Sequence, residues 1–458
     1  MHQPPPGLYA RLGAMLALEY FVFGTWKPTM GLVMSQNGLG DKIGLVFIFA
    51  AIAAMLSPLF VGALADRFFP AQKVFGVLHL AGGTLLVLMP QAIVNRQGAL
   101  FVLLLFAFML FFQPTQAMPN SISFAHLQGR THVFPYLRAL GTGSWIIAGI
   151  VVGQGGLSAH PAIFYIAAAV SFALGLYSFS LPSTPPLSKG RGFRPLDMIG
   201  AGAFPLFKRR TFAVLIACIL LTFIPASTYN DYGATYLDAA GVHNVASIMS
   251  IGQAAEFVVM LLLPRLLVKF GFRKILVTGA LTWILRCVLF LTLTHGQVWL
   301  AVTVVALHGV TTDFFMVTIY MYVDRMVAPA LRSQAQALVF FFQLGVGSLL
   351  GAVAASSIYN SVIGNATTSD LSDWQPIWLV AAAAAVLNAL LMVFFLGKDD
   401  PGQEQHGEAE TGSEDAPRAA DAPNPAQASA AVGGSPEGNE GEAGTPADSG
   451  GSTATPHC

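Results

Sequence analysis

Three observations predict an all-α integral membrane protein of twelve transmembrane helices in two six-helix bundles. The 458 residues are 55% hydrophobic and only 10% charged, against about 25% charged in ordinary soluble domains. Apolar runs of about 20 residues, the length that crosses a hydrocarbon core as a helix, recur twelve times. One basic interval divides them six from six.

The first run, 8–33, follows a short segment without Lys or Arg and contains Glu19, so it reads as a retained membrane helix rather than a cleaved signal. Runs at 43–65, 73–94, 98–124, 134–157 and 160–182 complete an N-terminal bundle over 1–182. The interval 183–210 carries Lys189, Arg191, Arg194, Lys208, Arg209 and Arg210 and is expected to be a cytoplasmic linker. Runs at 211–236, 244–268, 273–294, 297–323, 332–359 and 374–397 then form the C-terminal bundle, 211–397.

With the linker inside, Arg11, Arg67, Lys73, Arg130, Arg265, Lys269, Arg273, Lys274, Arg325, Arg332 and Lys398 fall on the same side, leaving Lys42 and Arg96 outside. This asymmetry places both termini in the cytoplasm. Residues 1–397 carry a net charge of +10 and 398–458 a net charge of −10. The acidic tail, rich in Gly, Pro, Ala, Ser and Glu with no aromatic residue, is expected to be disordered. Cys218, Cys287 and Cys458 make neither a disulfide framework nor a spaced metal site.

An ionisable group at the centre of a membrane helix costs roughly 2.5 to 3.5 kcal/mol even on lenient scales, which makes each one a candidate for function. Glu19, Lys27, Arg138, Asp231, Glu256, Arg286 and Asp313 lie within the expected spans. Arg138, Thr142 and Trp145 follow i, i+4, i+7 and share a helical face. Gln253 with Glu256, and Ser227 with Asn230, each share a face at i, i+3. Amides and hydroxyls also serve as interhelical contacts, and for Ser227 and Asn230 the two roles are equally weighted. Together the groups suit a neutral ligand with a heterocycle and hydroxyls, since an amide can meet a base edge, a carboxylate two sugar hydroxyls, and Trp145 a ring face. A sugar fits almost as well. His79 and His308 read as core histidines. Nothing resembles a nucleotide-binding glycine motif or an ATPase domain, so no cofactor, enzymatic activity or nucleic-acid partner is expected, and an ion or substrate gradient must supply the energy.

The loop Gly62-Ala63-Leu64-Ala65-Asp66-Arg67, followed by Lys73, resembles the G-x-L-A-D-R signature of the major facilitator superfamily, and PRLLVKFGFRK at 264–274 resembles its degenerate second copy. That resemblance implies gating roles for Asp66 and Arg67. More narrowly, FGTW (23–26), QPTQAMPNSIS (113–123), FPYLRALGTGSW (134–145), SIMSIGQAAE (247–256), WILR (283–286), TDFF (312–315), APALRSQAQ (328–336) and DWQPIWLV (373–380) resemble the bacterial nucleoside:proton symporter family over roughly residues 10–397. The resemblance implies a monomeric inner-membrane importer with a nucleoside site between the two halves. Arg138, Thr142, Asn230, Gln253, Glu256 and Asp313 match the family's binding positions. Trp145 replaces a Phe there, Ser227 stands where some members have Gln, and Thr312 where some have Phe.

For proton coupling Asp313 is favoured over Glu256, because Gln253 on its own face commits Glu256 to the ligand while Asp313 is followed by Phe314 and Phe315. Glu19, paired with Lys27, and Asp231 are weaker candidates. A sugar or glycoside:proton symporter and a non-transporting membrane sensor are the rival readings.

Overall fold

The computed structural model describes residues 7–57, 69–127, 130–185, 200–364 and 370–396. Asp66 and Arg67, most of the basic interval and the acidic tail lie outside the described residues. Secondary structure in the described part is entirely helical.

Among the described residues, ten helices are long and apolar enough to cross a membrane. With Leu8–Trp26 as α1 and Ile163–Ser178 as α6, they are α2 (Gly40–Ser57), α3 (Ala71–Val94), α4 (Gly98–His126), α5 (Phe134–Gln154), α7 (Arg210–Ala239), α8 (Val245–Phe270), α9 (Phe272–Thr292), α10 (Val298–Met326), α11 (Arg332–Val362) and α12 (Leu371–Phe395). Arg11 and Glu19 dilute the apolar character of α1, and α6 is only 16 residues long, so neither is among the ten. Gly271, at φ +77°, makes the single-residue turn between α8 and α9 in a conformation that L side chains rarely adopt. Within the interval read as linker, Ala201–Lys208 forms a short 3₁₀ helix that buries Ala203 and Leu206.

Alternation of buried and exposed residues along each helix separates an inner face from a face of large apolar side chains such as Leu103, Leu176, Leu281, Leu379 and Phe394. Such a surface requires lipid around it. Among the described residues, three apolar clusters form the interior. The largest joins Trp26, Phe47, Phe108 and Phe164 of the first six helices to Tyr232, Tyr236, Phe290, Trp374 and Trp378 of the last six. The other two do not mix: Leu12, Leu16, Phe75 and Leu137 pack within α1–α6, and Phe212, Leu276, Phe315 and Leu338 within α7–α12. Among the described residues, the two sets of helices are therefore fused at one end and separate at the other.

Small residues make the fused end possible. α5 lies so close to α8 that a Cβ at Gly149 would strike Ser250 and Ala246, and one at Gly153 would strike Ser247. Gly44 of α2 meets Ser356 of α11 in the same way. Gln36 donates to Asp238 at 2.7 Å, and the Ala246 amide to Ser158 at 3.3 Å. The basic residues Arg11, Arg130, Arg209, Lys269, Arg273, Arg325 and Arg332 gather at the opposite end, beside the two separate clusters.

Candidate functional site

Separation of the two sets of helices leaves a central cavity of about 520 Å³, within the range of about 300 to 1,000 Å³ of small-molecule sites. Its walls bring together Arg138, Thr142 and Trp145 of α5, Asn230 of α7, and Gln253 and Glu256 of α8. Each shared face read from the sequence thus points into one volume, except that of α7: Ser227 is buried against α11, its hydroxyl where a Cβ at Gly351 would sit. Asn230, one turn on, is exposed to the cavity.

The polar groups are held in place. Gln253 Nε2 donates to Glu256 Oε2 at 2.9 Å, and His308 Nε2 stands 3.5 Å from the same oxygen. Behind them the fully buried Arg286 donates to the Val304 carbonyl at 2.9 Å and to Thr311 Oγ1 at 3.3 Å, while its guanidinium lies 3.6 Å from the Tyr229 ring centroid. This fixed cation sits beside His308 Nδ1 at 3.4 Å. On the opposite wall the Arg138 guanidinium lies over Tyr20 at 4.2 Å, and Trp145 meets Phe23 edge-on at 4.7 Å. One wall therefore offers a carboxylate and an amide, the other a cation and an aromatic plane. That pairing can grip a polar, uncharged molecule at both ends.

Asp313 does not line the cavity, although Thr312 does. It is fully buried and begins the π-helical turn Asp313–Val317, and among the described residues neither carboxyl oxygen has a hydrogen-bond partner. Glu19 reaches the cavity wall but does not pair with Lys27. Its Oε2 lies 2.7 Å from His79 Nε2, and Lys27 is instead within electrostatic reach of Asp231 at the fused end. His79 is buried as expected but meets the Glu19 carboxylate rather than only apolar core, and His308, also read as a core histidine, lines the cavity. Tyr20, Phe23, Trp283, Tyr320 and Gln343 also face it. Sequence patterns do not single these out, because aromatic residues in membrane helices are abundant; only His308 and Thr312, at i and i+4, carry a readable signal.

Fold and cavity together define a membrane transporter built on the major facilitator plan. The family model for the nucleoside H+ symporters matches residues 7–400, and the chain belongs to that family. It is 33% identical over 415 residues to YegT of Escherichia coli (strain K12), covering 85% of this chain and 94% of that protein. The nucleoside permease NupG of the same organism is 29% identical over 404 residues, covering 83% and 94%. The crystal structure of NupG superposes with a TM-score of 0.77 at 27% identity, over 86% of this chain and 100% of that one. A D-xylose-proton symporter at 14% identity and a TM-score of 0.62, over 85% and 98% of the two chains, shares the fold alone.

Proposed function

We propose that this protein imports nucleosides across the bacterial inner membrane, as a monomer, by alternating access coupled to protons. The observation that carries the reading is the convergence of Arg138, Thr142 and Trp145 on one wall with Asn230, Gln253 and Glu256 on the other, a cavity suited to a base edge, a ring face and sugar hydroxyls. Twelve spans in two six-helix bundles, 1–182 and 211–397, follow if α1 and α6 also cross the bilayer. The basic end then faces the cytoplasm with both termini, the cavity opens inward, and Asp66 and Arg67 take the gating role that the family resemblance implies.

Asp313 is the favoured carrier of the coupling proton, with Glu256 second. An ionised carboxylate buried without a donor is costly, so a conformational change that alters its surroundings moves a proton. Each proton accompanying a neutral nucleoside contributes about 2.3 kcal/mol per 100 mV.

Uptake of labelled uridine into vesicles under an imposed proton gradient tests the reading, with unlabelled nucleosides, bases and sugars as competitors. Nucleosides alone should compete; competition by free sugars would favour a glycoside carrier, and binding without accumulation a sensor. Asp313→Asn should abolish gradient-driven accumulation while uridine exchange persists. Accumulation by that variant that still collapses with a protonophore would place the coupling proton elsewhere.

A further inference from the structure

A second ionisable pair lies in the other half of the molecule, on the far side of the cavity from Asp313. Glu19 of α1 and His79 of α3 are 2% and 1% exposed, and their Oε2 and Nε2 atoms stand 2.7 Å apart. Among the described residues neither atom has another partner. Proton positions around them follow from counting hydrogens. The Ser171 hydroxyl donates its one hydrogen to the His79 carbonyl at 2.9 Å, so toward His79 Nδ1, 3.0 Å away, its oxygen can only accept. Nδ1 therefore carries a hydrogen. Without a second proton Nε2 would present a lone pair to a carboxylate at 2.7 Å, and the two would repel. One further proton must reside on the pair, on Nε2 or on the carboxyl.

We propose that Glu19 and His79 form a second proton-binding site that is loaded in this conformation and empties into the cavity during transport. Glu19 makes the exchange possible because it belongs to two places at once, packed against His79 and part of the cavity wall. The pair also ties helices together: Thr115 Oγ1 of α4 stands 2.9 Å from Glu19 Oε1 and 2.7 Å from the Phe112 carbonyl, with one hydrogen to share between them, and Ser171 brings in α6. Phe75 and Phe112 flank the imidazole and keep water from its other faces. Charged or titratable groups facing the pair's surroundings are Arg138 of α5, stacked on the neighbouring Tyr20, and Glu256 and His308 across the cavity. Loss of the proton sets α1 against α3 and loosens the wall formed by Glu19, Tyr20 and Phe23. Binding or departure of substrate at that wall is thereby linked to the proton.

The proposal rests on proton-coupled nucleoside transport, and the experiment separates the two. The proton-to-uridine ratio is measured from reversal potentials in proteoliposomes for the parent, Glu19→Gln and Ser171→Ala. A Gln amide can donate to a neutral Nε2, so Glu19→Gln keeps the contact without the exchangeable proton. Its ratio should fall by one proton while uridine exchange persists; an unchanged ratio and an unchanged pH profile of exchange would make the pair structural and overturn the proposal. Should Glu19→Gln not fold, Ser171→Ala, which removes the acceptor of Nδ1–H, should displace the midpoint of that profile, and a profile superimposable on the parent's would likewise overturn it. Infrared difference spectra between acidic and alkaline buffer read the pair with no substrate present: a carboxyl band of the parent should vanish in Glu19→Gln, and its persistence counts against the pair. A parent that fails to concentrate uridine yet shows that band would sink the transport reading and leave the proton site standing.

Discussion

Glu256 is held at the cavity wall by Gln253 on its own helix and by His308 across from it. That leaves one oxygen and part of the amide for a ligand. Loss of a hydrogen bond to a charged group is worth about 1.5 to 3 kcal/mol, or roughly ten- to hundredfold in affinity. Glu256→Ala and Gln253→Ala should each weaken uridine binding by that factor in calorimetry of purified protein, with an unchanged circular dichroism spectrum. Parent-like binding by Glu256→Ala would make the carboxylate structural. The residue scale is also where the sequence is least complete as a guide. Helical spacing brings Arg138, Thr142, Trp145, Gln253 and Glu256 to their faces, because a regular helix fixes which residues point together. It does not reveal that Glu19 meets His79 rather than Lys27, a contact between helices α1 and α3 that no local pattern encodes.

At the scale of elements, hydrophobic length marks out most of the helices, since lipid demands both apolar surface and complete backbone hydrogen bonding. Two local departures are not visible that way. The π-helical turns Asp313–Val317 and Phe341–Gly347 each take more residues per turn than an α-helix, so the period that assigns faces slips there. Thr312 faces the cavity and Asp313 is turned away from it. The small residues of α5 are the second departure. Gly153 approaches the backbone amide of Ser247 so closely that a methyl group has no space, and Gly153→Ala must force α5 from α8. This variant should bind uridine from the basic end but transport it slowly, and a cysteine placed near Ser247 should become more reactive to an impermeant thiol reagent. Transport at the parent rate would show that the helices yield elsewhere.

At the scale of the whole molecule, the basic loops are expected to set the orientation. A reporter active only in the cytoplasm, fused at Lys398, should be active; a periplasmic signal would overturn the helix count or its direction. Removal of 399–458 should leave the uptake rate unchanged, because the matched family region ends at residue 400, and a marked loss of uptake would assign the tail a part in transport. If Asp66 has the gating role that the sequence resemblance implies, Asp66→Ala should slow transport and spare equilibrium binding, since a gating residue need not touch the nucleoside. The fused end has a further, electrical meaning. Water in an open cavity conducts, so it shares the potential of the compartment it faces, whereas the layer of Gly, Ser and aromatic contacts that joins the two halves is an insulator. With the cavity open at the basic end, nearly all of the membrane voltage falls across that thin layer. When the seal moves to the other end the same charges, Arg138, Glu256 and the Glu19–His79 pair among them, pass from one side of the voltage to the other while scarcely moving themselves. Work against the field is then done by relocating the insulator around the proton, and a current recorded during transport would time the movement of the seal.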